Sequence, residues 1–343
     1  MHKKELDKGP PGEYNVRCLI NHKEETSHME QSVSVLARKL TENISKVIIG
    51  KDDVIRKVII SLLCGGHILL EDIPGTGKTT MAKALARSMD CRWGRVQFTP
   101  DLLPSELTGI NYYNQKESAF VFKPGAIFTN ILLGDEINRA TPRTQSSLLE
   151  CMEEHQVSVD GVTYRLEQPF LVIATQNPIE IQGTFPLPEA QLDRFFMRLS
   201  MGYPGPDSER QMLQNLREAH PVESVQPVVT TDEILAAQEA VREVKVSAAV
   251  SGYIVSLVNA TRQSDKVRLG VSPRGSLALM RASQAMAAVQ GRDYVLPDDV
   301  KAIAPDVLGH RVILKGFSAT QSSDASRRLL ETLLNQVPAP VEN

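Results

Sequence analysis

Cysteine is scarce in this chain, and long apolar runs are missing. The four cysteines, Cys18, Cys64, Cys91 and Cys151, show no Cys-x-x-Cys spacing. That argues against a zinc site or a disulfide scaffold and suits a reducing compartment. Apolar stretches such as Ile68-Leu69-Leu70 and Ile131-Leu132-Leu133 fall far short of the ~20 residues that cross a bilayer. Met1 to Glu30 is polar and lacks the apolar segment of a secretory leader. The expectation is a cytoplasmic protein with no membrane insertion. Trp93 is the single tryptophan, without the series of aromatics on which single-stranded nucleic acid stacks. With a net charge of −3 there is no global pull towards nucleic acid. His22, His28, His67, His155, His220 and His310 show no metal-ligand spacing.

What is there has an ordinary balance for a soluble protein, 42% hydrophobic and 23% charged, and 343 residues suffice for about two domains. Residues 1–30 read as a flexible tail. Val33, Leu36, Leu40 and Ile44 then recur at helical spacing, and Asp52 to Leu63 continues in helical fashion. Short buried strands are expected at His67 to Leu70, Arg95 to Phe98, Ile131 to Leu133 and Phe170 to Ala174. Helices are expected at Thr79 to Met89 and Arg143 to Glu153. Strands alternating with helices point to an α/β parallel sheet over 31–202. Two hairpins interrupt it, Ile110 to Ile127 and Gln156 to Gln168, the second turning at Asp160-Gly161. Gly202-Tyr203-Pro204-Gly205-Pro206 reads as a linker. Beyond it, over 207–335, come helices at Asp207 to Ala219, Thr231 to Val241, Ala248 to Thr261, Pro273 to Val289 and Pro297 to Ile303. They form a small all-helical second domain.

The strongest chemical signal is Leu69-Leu70-Glu71-Asp72-Ile73-Pro74-Gly75-Thr76-Gly77-Lys78-Thr79-Thr80, between a strand and a helix. Gly75 and Gly77 let the backbone turn its N–H groups onto phosphates, and the helix beginning at Lys78 adds its positive end. Lys78 would reach the β- and γ-phosphates, and the Thr79 hydroxyl would bind Mg²⁺. The strict phosphate-loop pattern has Gly where this chain has Asp72, a residue that tolerates left-handed backbone. The strand Ile131-Leu132-Leu133-Gly134 ends in Asp135-Glu136. There Asp135 would hold Mg²⁺ and Glu136 would activate the attacking water. Asn177 follows another strand, either as an orienter of that water or as a turn residue before Pro178. Arg194 is either a transition-state arginine serving a neighbour's site or half of a surface pair with Asp193. Arg274 opens a helix in the second domain, from which it could reach the γ-phosphate. Tyr112-Tyr113 is either a client-gripping pair at a ring pore or a half-buried hairpin pair.

LLEDIPGTGKTTMAKALA, GDEINRATPRTQSSLLECMEE, ATQNPIEIQGTFPLPEAQLDRF and SPRGSLALMRASQA together resemble the MoxR-type AAA+ ATPases, from about Ser32 to about Leu314. The resemblance implies an AAA+ P-loop NTPase fold, a five-stranded parallel sheet flanked by helices plus a helical lid. It places Ile49 and Gly50 near the adenine, and the ATP phosphates on Pro74, Gly75, Thr76, Gly77, Lys78, Thr79 and Thr80. It gives Thr79 and Asp135 to Mg²⁺, and makes Glu136, Asn177, Arg194 and Arg274 the catalytic set. It further implies a ring homo-oligomer, expected to be hexameric, with chaperone-like remodelling or metal-cofactor insertion as its task. A von Willebrand factor A-domain protein is the implied partner. The alternatives are an ATP-gated scaffold with low turnover and the ATPase subunit of a metal chelatase.

Overall fold

The computed structural model describes residues 33–177, 183–215, 221–316 and 323–340. The tail expected at 1–30, the stretch from Pro178 to Gln182, and the end of the helix expected to reach Ala219 lie outside the described residues.

Helix α1 (33–45) buries Val33, Leu36, Leu40 and Ile44, as their spacing predicts. Helix α2 (Asp52–Leu63) opens with Asp52 and Asp53 in its first turn, where the unpaired amides favour negative charge. The α/β layer follows in this order: β1 (Ile68–Glu71), α3 (Lys78–Ser88), β2 (Trp93–Gln97), α4 (Pro104–Thr108), the hairpin β3 (Ile110–Asn114) and β4 (Ala119–Lys123), β5 (Ile131–Asp135) and α5 (Pro142–Glu154). Then come the hairpin β6 (Gln156–Val159) and β7 (Val162–Arg165), β8 (Leu171–Gln176), α6 (Glu189–Leu192) and β9 (Met197–Leu199). The Asp160-Gly161 turn between β6 and β7 has both residues at positive φ, 50° and 81°, as a two-residue hairpin requires.

Five strands pair in parallel in the order β2-β5-β8-β1-β9. Their side chains alternate between two cores. Ile68, Leu70, Ile131, Leu133, Leu171 and Ile173 join a cluster with α1, α2 and α3. Leu69, Leu132, Val172 and Ala174 join Phe98 and the apolar face of α5 on the other side. β1, β5 and β8, covered on both faces, read as unbroken apolar runs, which makes them recognisable, whereas β2 alternates, with Arg95 and Gln97 exposed. The three-residue β9 carries no such run and was not expected.

The chain's second half runs through α7 (Pro206–Asn215), α8 (Thr231–Arg242), α9 (Ala248–Gln263), β10 (Val267–Leu269), α10 (Pro273–Val289), α11 (Pro297–Leu308), β11 (Ile313–Leu314) and α12 (Ser323–Gln336). Side-chain caps start three of these helices: Thr230, Ser247 and Ser272 accept from Glu233, Val250 and Gly275 amides. With Thr230 as its cap, α8 begins at Thr231, as expected. Two departures concern the all-helical expectation. β10 and β11 pair as a short antiparallel ribbon, and α11 runs on through Pro305 instead of ending at Ile303. The buried faces of α8 to α12 join the same cluster that covers α1, α2 and one face of the sheet.

Two buried imidazoles tie these layers together. His67 Nδ1 accepts from the Val172 amide at 3.0 Å, so Nε2–H donates to the Met152 carbonyl at 2.9 Å. Burial pushes the His67 pKa down to about 4. His310 donates to the Phe195 carbonyl at 2.9 Å. Its pKa is driven well down by burial and then by Arg311 and Arg198. In the unfolded chain such rings titrate near 6.5, so the unfolded state binds more protons as the pH drops below that value. Stability is therefore full above pH 6.5 and is lost as the pH falls towards 4. Urea denaturation at pH 7 and pH 5 should show His67 contributing a loss of ~2 kcal/mol. The loss should shrink in His67→Gln; an equal loss in both proteins would refute the assignment.

Candidate nucleotide site

The β1 strand continues for one residue beyond Glu71, where the Asp72 amide donates to the Gln176 carbonyl at 3.1 Å. The chain then turns through Gly75 and Gly77, whose φ angles of +85° and +91° are left-handed and disfavour any Cβ. Gly77 is the N-cap of α3 and brings no capping side chain, so the first amides of the helix remain directed at the loop's concave side. Lys78 Nζ donates to the carbonyls of Asp72 at 3.1 Å and Ile73 at 2.8 Å. The ammonium thus lies over the loop, within reach of whatever the amides hold.

A cleft of about 370 Å³ opens here. On the loop side it is lined by Asp72, Pro74, Gly75, Gly77, Lys78, Thr79 and Thr80. Arg95, Gln97, Asp135, Glu136, Thr175 and Asn177 line it along the carboxyl edge of the sheet. Thr76, Ile49 and Gly50 do not line it. Thr76 donates to the Ile73 carbonyl at 3.3 Å. Ile48, not Ile49, approaches the loop: a Cβ at Gly77 would stand 3.9 Å from Ile48 Cδ1 and 3.8 Å from Met201 Cε. Gly50 lies against Ser208 of α7.

Asp135 is buried at the end of β5. Its carboxylate accepts from Arg95 Nε at 2.7 Å and from Thr175 Oγ1 at 3.2 Å. Glu136 has left-handed backbone, φ 57° and ψ 50°, an unfavourable conformation for a residue with a Cβ. The Glu136 amide donates to Thr175 Oγ1 at 2.9 Å. Its carboxylate accepts from Gln97 Nε2 at 2.7 Å and Arg139 Nη1 at 3.0 Å. Arg95, Gln97 and Thr175 were not singled out from sequence. The only local signal was alternation, which turns Arg95 and Gln97 to one side of β2. The donor set suits a magnesium nucleotide. Main-chain amides and an ammonium face one wall, while a hydroxyl and a carboxylate supply the hard oxygen that Mg²⁺ prefers.

Arg194 and Arg274 are absent from the lining of this cleft. They meet instead on Glu153, near the end of α5: Arg194 Nε lies 3.3 Å and Arg274 Nη2 3.2 Å from its two oxygens. Asp193 does not pair with Arg194. It accepts from Arg311 Nε at 2.7 Å and from Ser272 Oγ, the cap of α10, at 2.9 Å. The Arg311 side chain is 2% exposed and also donates to the carbonyls of Asp193, Phe195, Phe196 and Val307. Burial lowers its pKa to about 10, against the opposing pull of Asp193. Arg311 thus fixes the turn bearing Arg194 to the end of α11, and Asp193 links the same turn to the cap of α10, the helix bearing Arg274.

The family model of the ATPase family associated with various cellular activities (AAA) matches residues 67–197, and that of an AAA lid domain matches residues 259–332. Chaperone MoxR1 of Mycobacterium tuberculosis is 38% identical to this chain, over 91% of the chain and 84% of MoxR1. The chain belongs to the MoxR-type AAA+ ATPases. Another relative is the uncharacterized protein YeaC of Bacillus subtilis, 46% identical over 91% of this chain and 98% of YeaC. The MoxR-type fold also matches a crystal structure of a candidate ATPase from Cytophaga hutchinsonii. The TM-score is 0.83 at 38% identity, covering 94% of this chain and 99% of that one.

Asp193 keeps about a quarter of its side chain in water, so the cost of removing Arg311 falls chiefly on the carbonyls that lose a charged donor. Arg311→Met is expected to lose ~1.5–3 kcal/mol of stability in urea denaturation. A loss below ~1 kcal/mol would show that Arg311 is dispensable to the join.

Proposed function

We propose that this MoxR-type protein hydrolyses ATP with Mg²⁺ at sites shared between neighbouring subunits of a ring, and uses the turnover to remodel or assemble client proteins. The observation that carries the proposal is the division of the catalytic set. The loop amides, Lys78, Thr79, Asp135, Glu136 and Asn177 converge on one cleft. Arg194 and Arg274 lie together elsewhere, on Glu153.

The roles follow from position. The Gly75 to Thr80 amides would cradle the phosphates, with Lys78 exchanging its two carbonyl partners for β- and γ-phosphate oxygens. Ile49 and Gly50 would sit near the adenine, beside Ile48, whose side chain approaches Gly77 of the loop. Thr79 and Asp135 would hold Mg²⁺, which when bound offsets negative charge on the phosphate oxygens. Glu136, held by Gln97 and Arg139, would orient water and take its proton. Asn177 helps to orient the same water. Arg194 and Arg274, which do not line their own cleft, would enter a neighbour's and offset transition-state charge there. The AAA+ core spans 31–202 and the lid 207–335.

A chaperone role is supported by the name of the MoxR1 relative. A von Willebrand factor A-domain partner and a cytoplasmic location complete the proposal. No helix among the described residues is long and apolar enough to cross a membrane.

Steady-state ATP hydrolysis measured against protein concentration tests the shared site. Specific activity should climb as the chain assembles and vanish in Lys78→Ala. Arg194→Ala should bind ATP while turning over ~10³-fold more slowly. Mixing it with Glu136→Gln should restore part of the rate, because some sites then combine an intact Glu136 with an intact Arg194. Full activity of dilute monomers, with no rescue on mixing, would refute the model. Retained ATP binding with negligible turnover at every concentration would favour a nucleotide-gated scaffold.

A further inference from the structure

Asp72 occupies the position where the strict phosphate-loop pattern has glycine, and the backbone gives no reason for the exchange. Asp72 is not among the residues with positive φ. The left-handed backbone that Asp tolerates is not used here, which leaves the side chain to account for the residue. That side chain is buried, at 5% exposure. An ionised carboxylate taken out of water is costly unless donors surround it. Here the donors come from a distant segment. The amide of Met201 donates to Asp72 Oδ2, and the amide of Gly202 donates at 3.2 and 3.3 Å to the two oxygens. Ser200 Oγ donates at 3.4 Å. All three residues belong to the stretch that leaves β9 and leads to the second half of the chain.

The same stretch is seated nearby at two further points. Lys51 Nζ donates to the Tyr203 carbonyl at 2.7 Å, and Ser208 lies against Gly50. Met201 is itself buried, and its side chain approaches Gly77. Asp72 is also engaged through its main chain, since its carbonyl accepts from Lys78 Nζ at 3.1 Å. One residue therefore touches the phosphate-binding lysine with its backbone and the interdomain linker with its side chain.

We infer that Asp72 is a positioning residue for the ATPase reaction: its carboxylate fastens the linker to the base of the phosphate loop and passes nucleotide-driven movement of the loop to the lid. Resting on the ATP-binding role proposed above, the sequence of events is short. Phosphate draws Lys78 away from the Asp72 carbonyl, the loop adjusts, and the linker amides follow because two charge-assisted hydrogen bonds hold them. Lid and loop then move together. The lid helix α10 bears Arg274, and Arg311 ties the Arg194 turn to the lid, so the linker's position sets where both arginines point.

The decisive variant is Asp72→Gly, which restores the strict loop pattern and removes the fastening. If the loop motif alone mattered, this change would be harmless. Three measurements are made on the full chain: affinity for a fluorescent ATP analogue, kcat at saturating ATP, and hydrogen exchange of residues 200–215 with and without a slowly hydrolysed ATP analogue. The expected result is nucleotide affinity within ~3-fold of the wild type and kcat lower by ~10-fold or more. Nucleotide-dependent protection of the linker should be present in the wild type and absent in the variant. A purely structural role would lower the melting temperature and leave the kcat of the folded fraction and the protection response intact. Wild-type kcat in Asp72→Gly, or a linker response that survives the substitution, overturns the inference, as does a wild-type linker that ignores nucleotide. If Asp72→Gly does not fold, Asp72→Asn decides by the same measures, since its amide turns an N–H towards amides that need an acceptor. A wild-type chain that binds nucleotide but turns over no ATP defeats the hydrolysis reading alone, and the exchange measurement still decides the role of Asp72.

Discussion

The site depends on the parallel pairing of β1 with β8 and of β8 with β5. In a parallel sheet every strand ends on the same side, so whatever follows each strand is gathered along one edge. Here the register sets Leu70 beside Thr175 and Glu71 beside Gln176. It therefore brings the phosphate loop after β1 next to Asn177 after β8. The pairing of Gly134 with Ala174 then sets Asp135 within reach of Thr175. The hydroxyl of Thr175 shows how tightly this edge is drawn: it donates to the Asp135 carboxylate and accepts from the Glu136 amide. Slipping any strand by one residue would turn its buried side chains to the opposite face and separate these groups.

What could be read in advance was what is encoded locally. The loop from Pro74 to Thr80 carries its own chemistry, because glycines at two fixed points and a lysine opening a helix, placed after a strand, are the arrangement that cradles phosphate. Strands buried on both faces advertise themselves by apolar runs, and the β6–β7 turn by Asp160-Gly161. Helix α11 extends past the expected end at Ile303 and through Pro305, a residue that lacks an amide and crowds the preceding turn. The helix continues nonetheless, with Ala304, Val307 and Leu308 buried in the shared core. Tertiary burial there outweighs the local preference.

What could not be read were the partners of charged groups across long separations. Arg311 and Asp193 are 118 residues apart, and Asp72 and Met201 are 129 apart. Nothing in the local pattern of either residue names the other. The pair Asp193-Arg194 suggested a surface salt bridge by adjacency, yet each turned to a different and more distant partner. Asp193 went to Arg311 and Ser272, and Arg194 to Glu153. Arg95 and Gln97 were hidden for a related reason. A polar residue at a strand end is usually solvated, and only the fold reveals that these two reach a buried carboxylate and its neighbour.

One apolar cluster runs from the sheet through α1 and α2 into α8 to α12 without interruption. A lid that merely hung from its linker could swing open like a door. This one shares its interior with the nucleotide-binding half, and prising the halves apart would expose Val58, Leu62 and Leu279 to water. Close-packed side chains yield by sliding over one another through small steps. Movement between the two halves is accordingly restricted to shear of modest amplitude, with the interior kept dry throughout.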